Sequence, residues 1–246
     1  MYNIVIKKKR SVYDIGLLFF NVHLLSFSLI FNLSPMDYIL FGIQGAGKGT
    51  QAKFLAQQTG AQYFETGGEL RRLSSEDSPL GKKIKSIIEA GHLVPNEVVM
   101  EIVANFVTMT VSKNSDSCSI IFDGIPRNME QSDTFVALLN QYNRNFTGLY
   151  FELSREAAEN RLLKRRICKS CKTVYPSMYT NIVCEKCNGE LITRADDNAE
   201  SIKTRIEIFY KETVPVVEKW RGLDKMISIN ADQSIEAVTE EMKRKI

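Results

Sequence analysis

Nine residues, Gly42–Thr50, constrain this chain more than any other stretch, because they read GIQGAGKGT between an apolar run and a helix-compatible segment. The apolar run is Tyr38–Phe41, and the helix-compatible segment is Gln51–Gln58. Strand, glycine-rich loop, lysine and helix in this order predict a phosphate-binding P-loop. The glycines let successive backbone N–H groups turn toward an anion, and the helix adds its positive N-terminal end. Lys48 is the side chain expected to reach the outer phosphates.

The spacing of this loop departs from the generic motif. The generic P-loop has Ser or Thr directly after the lysine, whereas Gly49 here separates Lys48 from Thr50. The form GxxGxGKGT is seen in kinases that phosphorylate nucleoside monophosphates. An ordinary glycine-rich turn is the alternative interpretation, and the flanking strand and helix favour the phosphate loop.

Length and composition are those of an ordinary globular protein. With 246 residues, 44% of them hydrophobic and 25% charged, the chain is predicted to form one main domain with insertions. The formal net charge of +3 is too small to indicate a nucleic-acid or membrane partner by itself. Four of the five cysteines form two C-x-x-C pairs, which favours a metal site in a reducing compartment. We therefore expect a cytoplasmic protein.

Residues 1–35 differ from the rest of the chain. The basic run Lys7–Arg10 precedes a largely apolar segment, Val12–Leu33, in the order typical of a signal peptide or signal anchor. Polar residues interrupt that segment, no small-x-small cleavage site follows it, and the predicted reduced metal site lies downstream. We expect either a natural start at Met36 or a dispensable extension. A membrane anchor on a cytoplasmic protein is the alternative.

Short apolar runs alternate with helix-compatible stretches after residue 36. The predicted strands are Asp37–Phe41, Gln62–Phe64, Ser119–Phe122, Gly148–Leu153 and Lys225–Asn230. The predicted helices are Lys48–Gln58, Pro79–Ala90, Pro95–Thr110, Asn128–Tyr142, Ser154–Arg166, Ala199–Lys211 and Ser234–Lys245. This alternation predicts an α/β fold, in which helices cover both faces of a five-stranded parallel sheet. Ligands then bind beyond the carboxyl ends of the strands.

Two segments that follow predicted strands carry candidate binding residues. Thr66 can contact a base edge or cap a helix, and Arg71 can hold a phosphate through two hydrogen bonds. A capped helix with solvated arginines is the alternative for this segment. Asp123 can hold Mg²⁺ directly or through water, and Arg127 is expected to face the same crevice. An ordinary Asp-Gly turn is the alternative there.

Two C-x-x-C pairs are separated by twelve residues: Cys168 with Cys171, and Cys184 with Cys187. This pattern indicates a tetrahedral Zn²⁺ site with four thiolate ligands, which leaves no open position for chemistry and is therefore structural. Metal binding can supply on the order of 10 kcal/mol to the folding of so small an insert. Two disulfides or an iron centre are the alternatives. The fifth cysteine, Cys118, is expected to be a buried strand thiol without chemistry.

Arginines lie on both sides of the cysteine segment, at Arg161, Arg165, Arg166, Arg194 and Arg205. Arg161 and Arg165 are four residues apart and so share one face of the predicted helix. A solvated charged surface is the usual explanation for such a run, but a phosphoryl group in transfer carries charge that arginines stabilise. Asp196 and Asp197 are expected to cap the next helix and to orient these arginines.

These motifs together resemble the adenylate kinase family in its zinc-containing, long-lid form. The resemblance runs from Met36 to the C-terminus. In chain order it rests on GxxGxGKGTQA at 42–52, Thr-Gly-x-x-Leu-Arg at 66–71, Asp-Gly-x-Pro-Arg at 123–127 with Gln131, Arg-x3-Arg-Arg at 161–166, the four cysteines, and Thr-Arg-x-Asp-Asp at 193–197 with Arg205. It implies a core over 36–246 that contains a monophosphate-binding insert near 65–94 and a zinc-binding lid near 164–197.

The resemblance also implies a reaction: reversible, Mg²⁺-dependent phosphoryl transfer from ATP to AMP, giving two ADP. The implied catalytic residues are Lys48, Asp123, Arg127, Arg161, Arg165, Arg194 and Arg205. The implied ATP contacts are Gly45, Ala46, Gly47, Lys48, Gly49, Thr50, Arg161, Arg165, Val174, Tyr175 and Gln233. The implied AMP contacts are Thr66, Arg71, His92, Leu93, Val94, Gly124, Ile125, Pro126, Arg127, Gln131, Arg194 and Arg205. Such an enzyme needs no nucleic-acid partner, and we expect a monomer.

Three features depart from the family pattern. Gly68, next to Glu69, stands where the family usually has Asp, so one acidic group near the Mg²⁺ is missing. Ile125 replaces the usual Phe, which weakens stacking on the AMP base. The segment between the cysteine pairs is a few residues shorter than expected for the long-lid form.

Three alternative functions stay open. The first is a kinase for another monophosphate, although Thr66 favours AMP because relatives acting on UMP or CMP tend to carry Ala there and lack a zinc lid. The second is a zinc-ribbon nucleic-acid binder, for which the insert offers Tyr175 and Tyr179 but few basic residues. The third is a regulatory ATPase tethered to a membrane through residues 1–35.

Overall fold

A parallel sheet forms the centre of the protein in a computed structural model that describes residues 35–114, 118–176 and 178–246. The strands of these residues are β1 (Met36–Phe41), β2 (Gln62–Glu65), β3 (Ile120–Asp123), β4 (Asn145–Glu152), β5 (Arg166–Cys168), β6 (Val174–Tyr175), β7 (Leu191–Ile192) and β8 (Met226–Asn230). The central sheet has the order β2-β3-β1-β4-β8, with all neighbours parallel. The five predicted strands are therefore confirmed, with bounds that differ by up to three residues.

Helices follow the strands as the alternating pattern predicted. They are α1 (Lys48–Thr59), α2 (Thr66–Ser74), α3 (Pro79–Glu89), α4 (Asn96–Asn114), α5 (Met129–Gln141), α6 (Arg155–Leu163), α7 (Ala199–Ile208), α8 (Val214–Arg221) and α9 (Ile235–Lys245). A π-helical turn, Phe209–Thr213, joins α7 to α8. Several helices begin at side-chain caps; for example, the amide of Ala157 donates to Ser154 Oγ at the start of α6 (3.2 Å).

Two hydrophobic clusters lie on opposite faces of the central sheet, so the expected three-layer α/β fold is confirmed. On one face Ile39 and Phe122 pack against helices α4, α5 and α8. On the other face Leu40 and Ile121 pack against α1, α6, α7 and α9. Neighbouring strand residues point to opposite faces, and both faces are buried, which explains why the strands are continuous apolar runs.

The helix predicted over Ser154–Arg166 is too long. Helix α6 ends at Leu163, because Arg166 already begins strand β5 of a second sheet. Arg165 therefore lies beyond the helix, and the prediction that it shares a helix face with Arg161 was wrong. Helix α8 was not predicted, and α2 was predicted only as the capped-helix alternative for the segment that begins at Thr66. The first turn of α2 carries two glycines, and α8 has a proline near its start.

The second sheet is small and antiparallel. Its strand order is β6-β5-β7, with Ile167 opposite both Val174 and Ile192. Its buried centre consists of Cys168, Tyr175 and Cys184. So few apolar groups cannot stabilise a fold of this size alone, which leaves a role for a bound metal.

A buried ion pair ties the strands together at the amino-terminal edge of the sheet. Arg144 donates to both carboxylate oxygens of Asp37 (2.6 and 2.7 Å), and Asp37 also accepts from the amide of Ile120 (2.7 Å). Arg144 donates further to the carbonyl oxygen of Cys118 (2.6 Å). Cys118 precedes β3 and is only partly buried, so its prediction as a buried strand thiol was wrong.

The predictions for residues 1–35 concern a segment that, apart from Pro35, lies outside the described residues. Within the described ranges, no helix combines the length and apolar character needed to cross a bilayer.

Candidate active site

The phosphate loop connects β1 to α1 through tight turns. Gly45 and Gly47 have φ values of 89° and 85°, in the left-handed region that favours glycine. A Cβ atom on Gly45 would lie 3.2 Å from the carbonyl oxygen of Ala158 in α6. The loop therefore packs directly on α6, and the positive end of α1 faces the space that the loop encloses.

Lys48, the first residue of α1, folds back across this loop. Its Nζ donates to the carbonyl oxygens of Gly42 (2.7 Å) and Ile43 (3.2 Å). Burial lowers the pKa of Lys48, and the neighbouring Asp123 carboxylate opposes part of that shift. Burial likewise raises the pKa of Asp123, and Lys48 opposes it. A cation and a carboxylate thus share a weakly solvated space beside the loop.

Two buried carboxylates bind the arginines that flank the cysteine segment. Asp197 accepts two hydrogen bonds from Arg165 (2.7 and 2.6 Å) and one from Arg205 (2.8 Å). Asp196 accepts two from Arg194 (3.0 and 2.8 Å) and one from Arg205 (3.4 Å). Burial alone would raise the pKa of Asp196, but Arg194 and Arg205 lower it below its usual value.

The expected orienting role of the two aspartates thus agrees with these contacts, whereas their expected role as helix cap was wrong. Asn198 caps α7, because its Oδ1 accepts from the amide of Ser201 (2.9 Å). Arg161 is placed apart from this network, 3.5 Å from Asp232.

A second group of residues lies at the ends of β2 and β3. Arg71 donates to Glu65 Oε1 (2.6 Å). Arg127 is held by its own chain, since its Nε donates to the carbonyl oxygen of Gly124 (2.9 Å) and its amide donates to Gln131 Oε1 (2.8 Å). Burial lowers the pKa of Arg127, and the nearby Asp123 opposes that shift.

Most of the predicted catalytic and nucleotide-binding residues line one cleft of about 610 Å³. It is lined by Gly45, Ala46, Gly47, Lys48, Gly49, Thr50, Arg71, His92, Val94, Asp123, Gly124, Arg127, Arg161, Arg165, Val174, Arg194, Arg205 and Gln233. The predicted catalytic and nucleotide-binding residues that lie outside this lining are Thr66, Leu93, Ile125, Pro126, Gln131 and Tyr175. Gln131 lies behind Arg127, which it hydrogen-bonds, and the Tyr175 hydroxyl lies 3.1 Å from Cys184 Sγ inside the small sheet.

The four paired cysteines converge on one point. Their sulfur atoms all lie within 4.8 Å of one another, with Cys168 and Cys187 at 3.4 Å and Cys171 and Cys184 at 3.4 Å. A disulfide needs about 2.05 Å, and all four thiols are free. Tetrahedral zinc with bonds of about 2.3 Å needs sulfur atoms about 3.8 Å apart. The donor set therefore fits a single thiolate-bound metal ion.

Glu65 is a cleft residue that the sequence did not indicate. It is the last residue of β2 and lines the cleft beside Arg71. No motif singles it out, because its proximity to the phosphate loop depends on strand pairing: Glu65 lies in register with Asp123 of β3.

The parallel sheet, the glycine loop with its lysine and the cleft at the strand ends define a P-loop nucleotide-binding protein. A family model described as adenylate kinase matches residues 40–225. The adenylate kinase of Geobacillus sp. (strain WCH70) is 34% identical over 213 residues, which cover 85% of this chain and 97% of that protein. The adenylate kinase of Kosmotoga olearia is also 34% identical, over 84% of this chain and 97% of its own length. The adenylate kinase of Methanocella arvoryzae is 32% identical, over 86% and 98%.

The chain belongs to the adenylate kinase family, and it is a phosphotransferase. The four-cysteine cluster supports the long-lid form that carries a metal-binding insert. The predicted family, fold class and enzyme class are thereby confirmed.

Proposed function

We propose that this protein transfers the terminal phosphoryl group of ATP to AMP, giving two ADP, and that it also catalyses the reverse reaction. The observation that carries this proposal is the convergence of Lys48 and arginines from distant parts of the chain on one cleft. Two nucleotides bring several phosphate charges together, and a site with an excess of guanidinium groups offsets that charge. The reaction would serve the balance of adenine nucleotides.

The ATP side of the cleft consists of the phosphate loop and the residues facing it. Backbone N–H groups of Gly45–Thr50 hold the phosphates, and Lys48 moves from the carbonyl groups it contacts now to the outer phosphates. Arg161 and Arg165 bind the same phosphates from the lid side. Val174, Tyr175 and the backbone of Gln233 are proposed as weaker contacts to the rest of ATP.

The AMP side consists of residues at the ends of β2 and β3 and the start of α4. Arg71 and Arg127 bind the acceptor phosphate, with Gln131 holding the backbone of Arg127. Arg194 and Arg205 connect this phosphate to the transfer centre. The base is proposed to contact Thr66, and the remaining contacts come from His92, Leu93, Val94, Gly124, Ile125 and Pro126.

The chemistry needs position and charge rather than a covalent intermediate. An oxygen of the AMP phosphate attacks the γ-phosphorus of ATP, and the bond from that phosphorus to the bridging oxygen breaks as ADP leaves. The arginines stabilise charge on the moving group, and a closed lid excludes water that would hydrolyse ATP. Asp123 fits Mg²⁺, since a carboxylate beside a phosphate loop is its usual protein ligand. When bound, Mg²⁺ neutralises charge on the ATP phosphates.

We also propose that the metal of the cysteine cluster is Zn²⁺ and that it is structural, with Cys168, Cys171, Cys184 and Cys187 as its four ligands. The lid would comprise residues 164–197 and the AMP-binding insert residues 65–94. We further propose that the protein acts as a monomer without a nucleic-acid partner, in the cytoplasm, where a reducing environment keeps its paired cysteines available for metal.

A coupled assay of the full chain with ATP, Mg²⁺ and AMP, CMP, UMP or GMP tests the proposal. ADP formation that requires AMP is the expected result, with about one zinc per chain in the same sample, as four ligands imply. A clear preference for another monophosphate would replace the proposed acceptor. ATP hydrolysis that is independent of any monophosphate would overturn phosphoryl transfer itself.

A further inference from the structure

Two carboxylates end adjacent strands at the phosphate loop. Glu65 and Asp123 are the last residues of β2 and β3, and they are register partners across the parallel pair. Side chains at paired positions of neighbouring strands lie close together on the same face. Asp123 lies beside Lys48, and Glu65 contributes charge to the surroundings of both. Glu65 therefore belongs to the electrostatic centre of the cleft.

The Glu65 side chain lies against the first turn of α2. A Cβ atom on Gly68 would lie 3.4 Å from Glu65 Oε2, and one on Gly67 would lie 2.9 Å from Arg71 Nη1. The Glu65–Arg71 ion pair thus lies across two positions that carry no side chain.

A carboxylate at this place is unfavourable for nucleotide binding unless a cation is also present. Arg71 is the proposed ligand of the AMP phosphate, and Glu65 occupies one of its donors at 2.6 Å. An anion beside two bound phosphates repels them. Mg²⁺ is bound in phosphoryl-transfer sites through one or two carboxylates together with substrate phosphates.

We propose that Glu65 is a second carboxylate, beside Asp123, that interacts with Mg²⁺. Its side chain extends from the end of β2 and occupies the space that an acidic side chain at position 68 would otherwise fill. This inference rests on the proposed function, and it accounts for Gly68, the departure noted in the sequence. Contact with the ion is direct or through a bound water, since Mg²⁺ keeps several of its waters.

The test uses Mn²⁺ as a paramagnetic probe, with its binding to the full chain measured by electron paramagnetic resonance. The chain is saturated with AMP and a non-hydrolysable ATP analogue, so that no turnover is needed. Glu65→Gln should weaken Mn²⁺ binding at least tenfold, which is the usual effect of losing a ligand or its partner. Glu69→Gln is the matched control, because Glu69 is a nearby carboxylate in α2 that instead contacts Arg72. That variant should bind Mn²⁺ as the unmodified chain does.

A second experiment tests whether a carboxylate at position 68 can replace that of Glu65. The double variant Glu65→Gln with Gly68→Asp places the charge on the other side of the same space and should recover most of the Mn²⁺ affinity. Unchanged Mn²⁺ binding in Glu65→Gln, with only the KM for AMP altered, would reduce Glu65 to a partner of Arg71 and overturn the inference. Loss in Glu65→Gln without recovery in the double variant would overturn it as well. Failure of the unmodified chain to transfer phosphate from ATP to AMP would instead contradict the proposed function.

Discussion

At the scale of single residues, two buried carboxylates hold the arginine network in place without any nucleotide. Asp196 and Asp197 together hold Arg165, Arg194 and Arg205. Paired hydrogen bonds fix the plane of a guanidinium group, so little side-chain entropy is lost on binding. Two carboxylates cannot neutralise three guanidinium groups, and the remaining positive charge attracts the anionic substrates.

Asp196→Asn should therefore lower the free energy of unfolding at neutral pH. It should also make that free energy depend less on pH in the acidic range. Arg194 and Arg205 outweigh burial and keep the pKa of Asp196 below its usual 3.8. A lowered pKa contributes stability that is present above the unfolded value and is lost as the pH falls through the folded one. We expect a loss on the order of 3 kcal/mol at pH 7, as for breaking a buried ion pair, and a smaller loss near pH 3. Urea unfolding at both pH values measures this, and an equal loss at both would contradict the assignment.

Lys48→Met should lower the activity of the protein without lowering its stability. Burial lowers the pKa of Lys48, which means that the folded state disfavours its charge when no nucleotide is bound. Methionine keeps the packing and removes that cost, so the melting temperature should stay the same or rise. The kcat should fall by about 10²–10³, the effect of losing one stabilising group at a transition state. Lys85→Met on the exposed face of α3 is the control and should change neither quantity.

At the scale of elements, the small sheet of β5–β7 depends on its cysteines. Cys184 is fully buried, and with Cys168 and Tyr175 it makes up the buried centre of that sheet. Cys184→Ser should lower bound zinc well below one per chain and expose residues 166–192 to limited proteolysis, while the central sheet keeps its circular dichroism. A chelator should have the same effect on the unmodified chain, because metal binding supplies the folding energy of such inserts.

Cys118→Ser is the matched control for this experiment, since Cys118 lies outside the cluster. It should retain zinc and resist proteolysis in residues 166–192. Proteolysis that is unaffected when zinc is removed would show that the small sheet folds without the metal.

The sequence predicted elements well wherever local pattern determined them. The central strands are apolar runs buried on both faces, and helices such as α5 begin at a side-chain cap, Asn128. Helix α2 was predicted only as an alternative, because Gly67 and Gly68 weaken its helical signal. Glu65 was not identified from the sequence, because its position beside Asp123 results from strand pairing between two residues that are 58 apart in the chain. Local propensity cannot report such non-local contacts.

At the scale of the whole molecule, the proposed reaction requires the lid and the AMP insert to close together over two nucleotides. A ligand that joins two adenosines through a chain of phosphates should occupy both halves of the cleft. It should protect amides within residues 65–94 and 164–197 from hydrogen exchange far more than those of β1 and β3, which are already buried in the central sheet. At one hundred times its Kd, such a ligand should also raise the free energy of unfolding by about 2.7 kcal/mol. ATP alone should protect mainly the lid, because Arg165, Val174 and Tyr175 are its proposed partners there, and AMP alone should protect mainly 65–94. Equal protection of both segments by either nucleotide would mean that they close as one body, and protection of neither by the linked ligand would contradict closure.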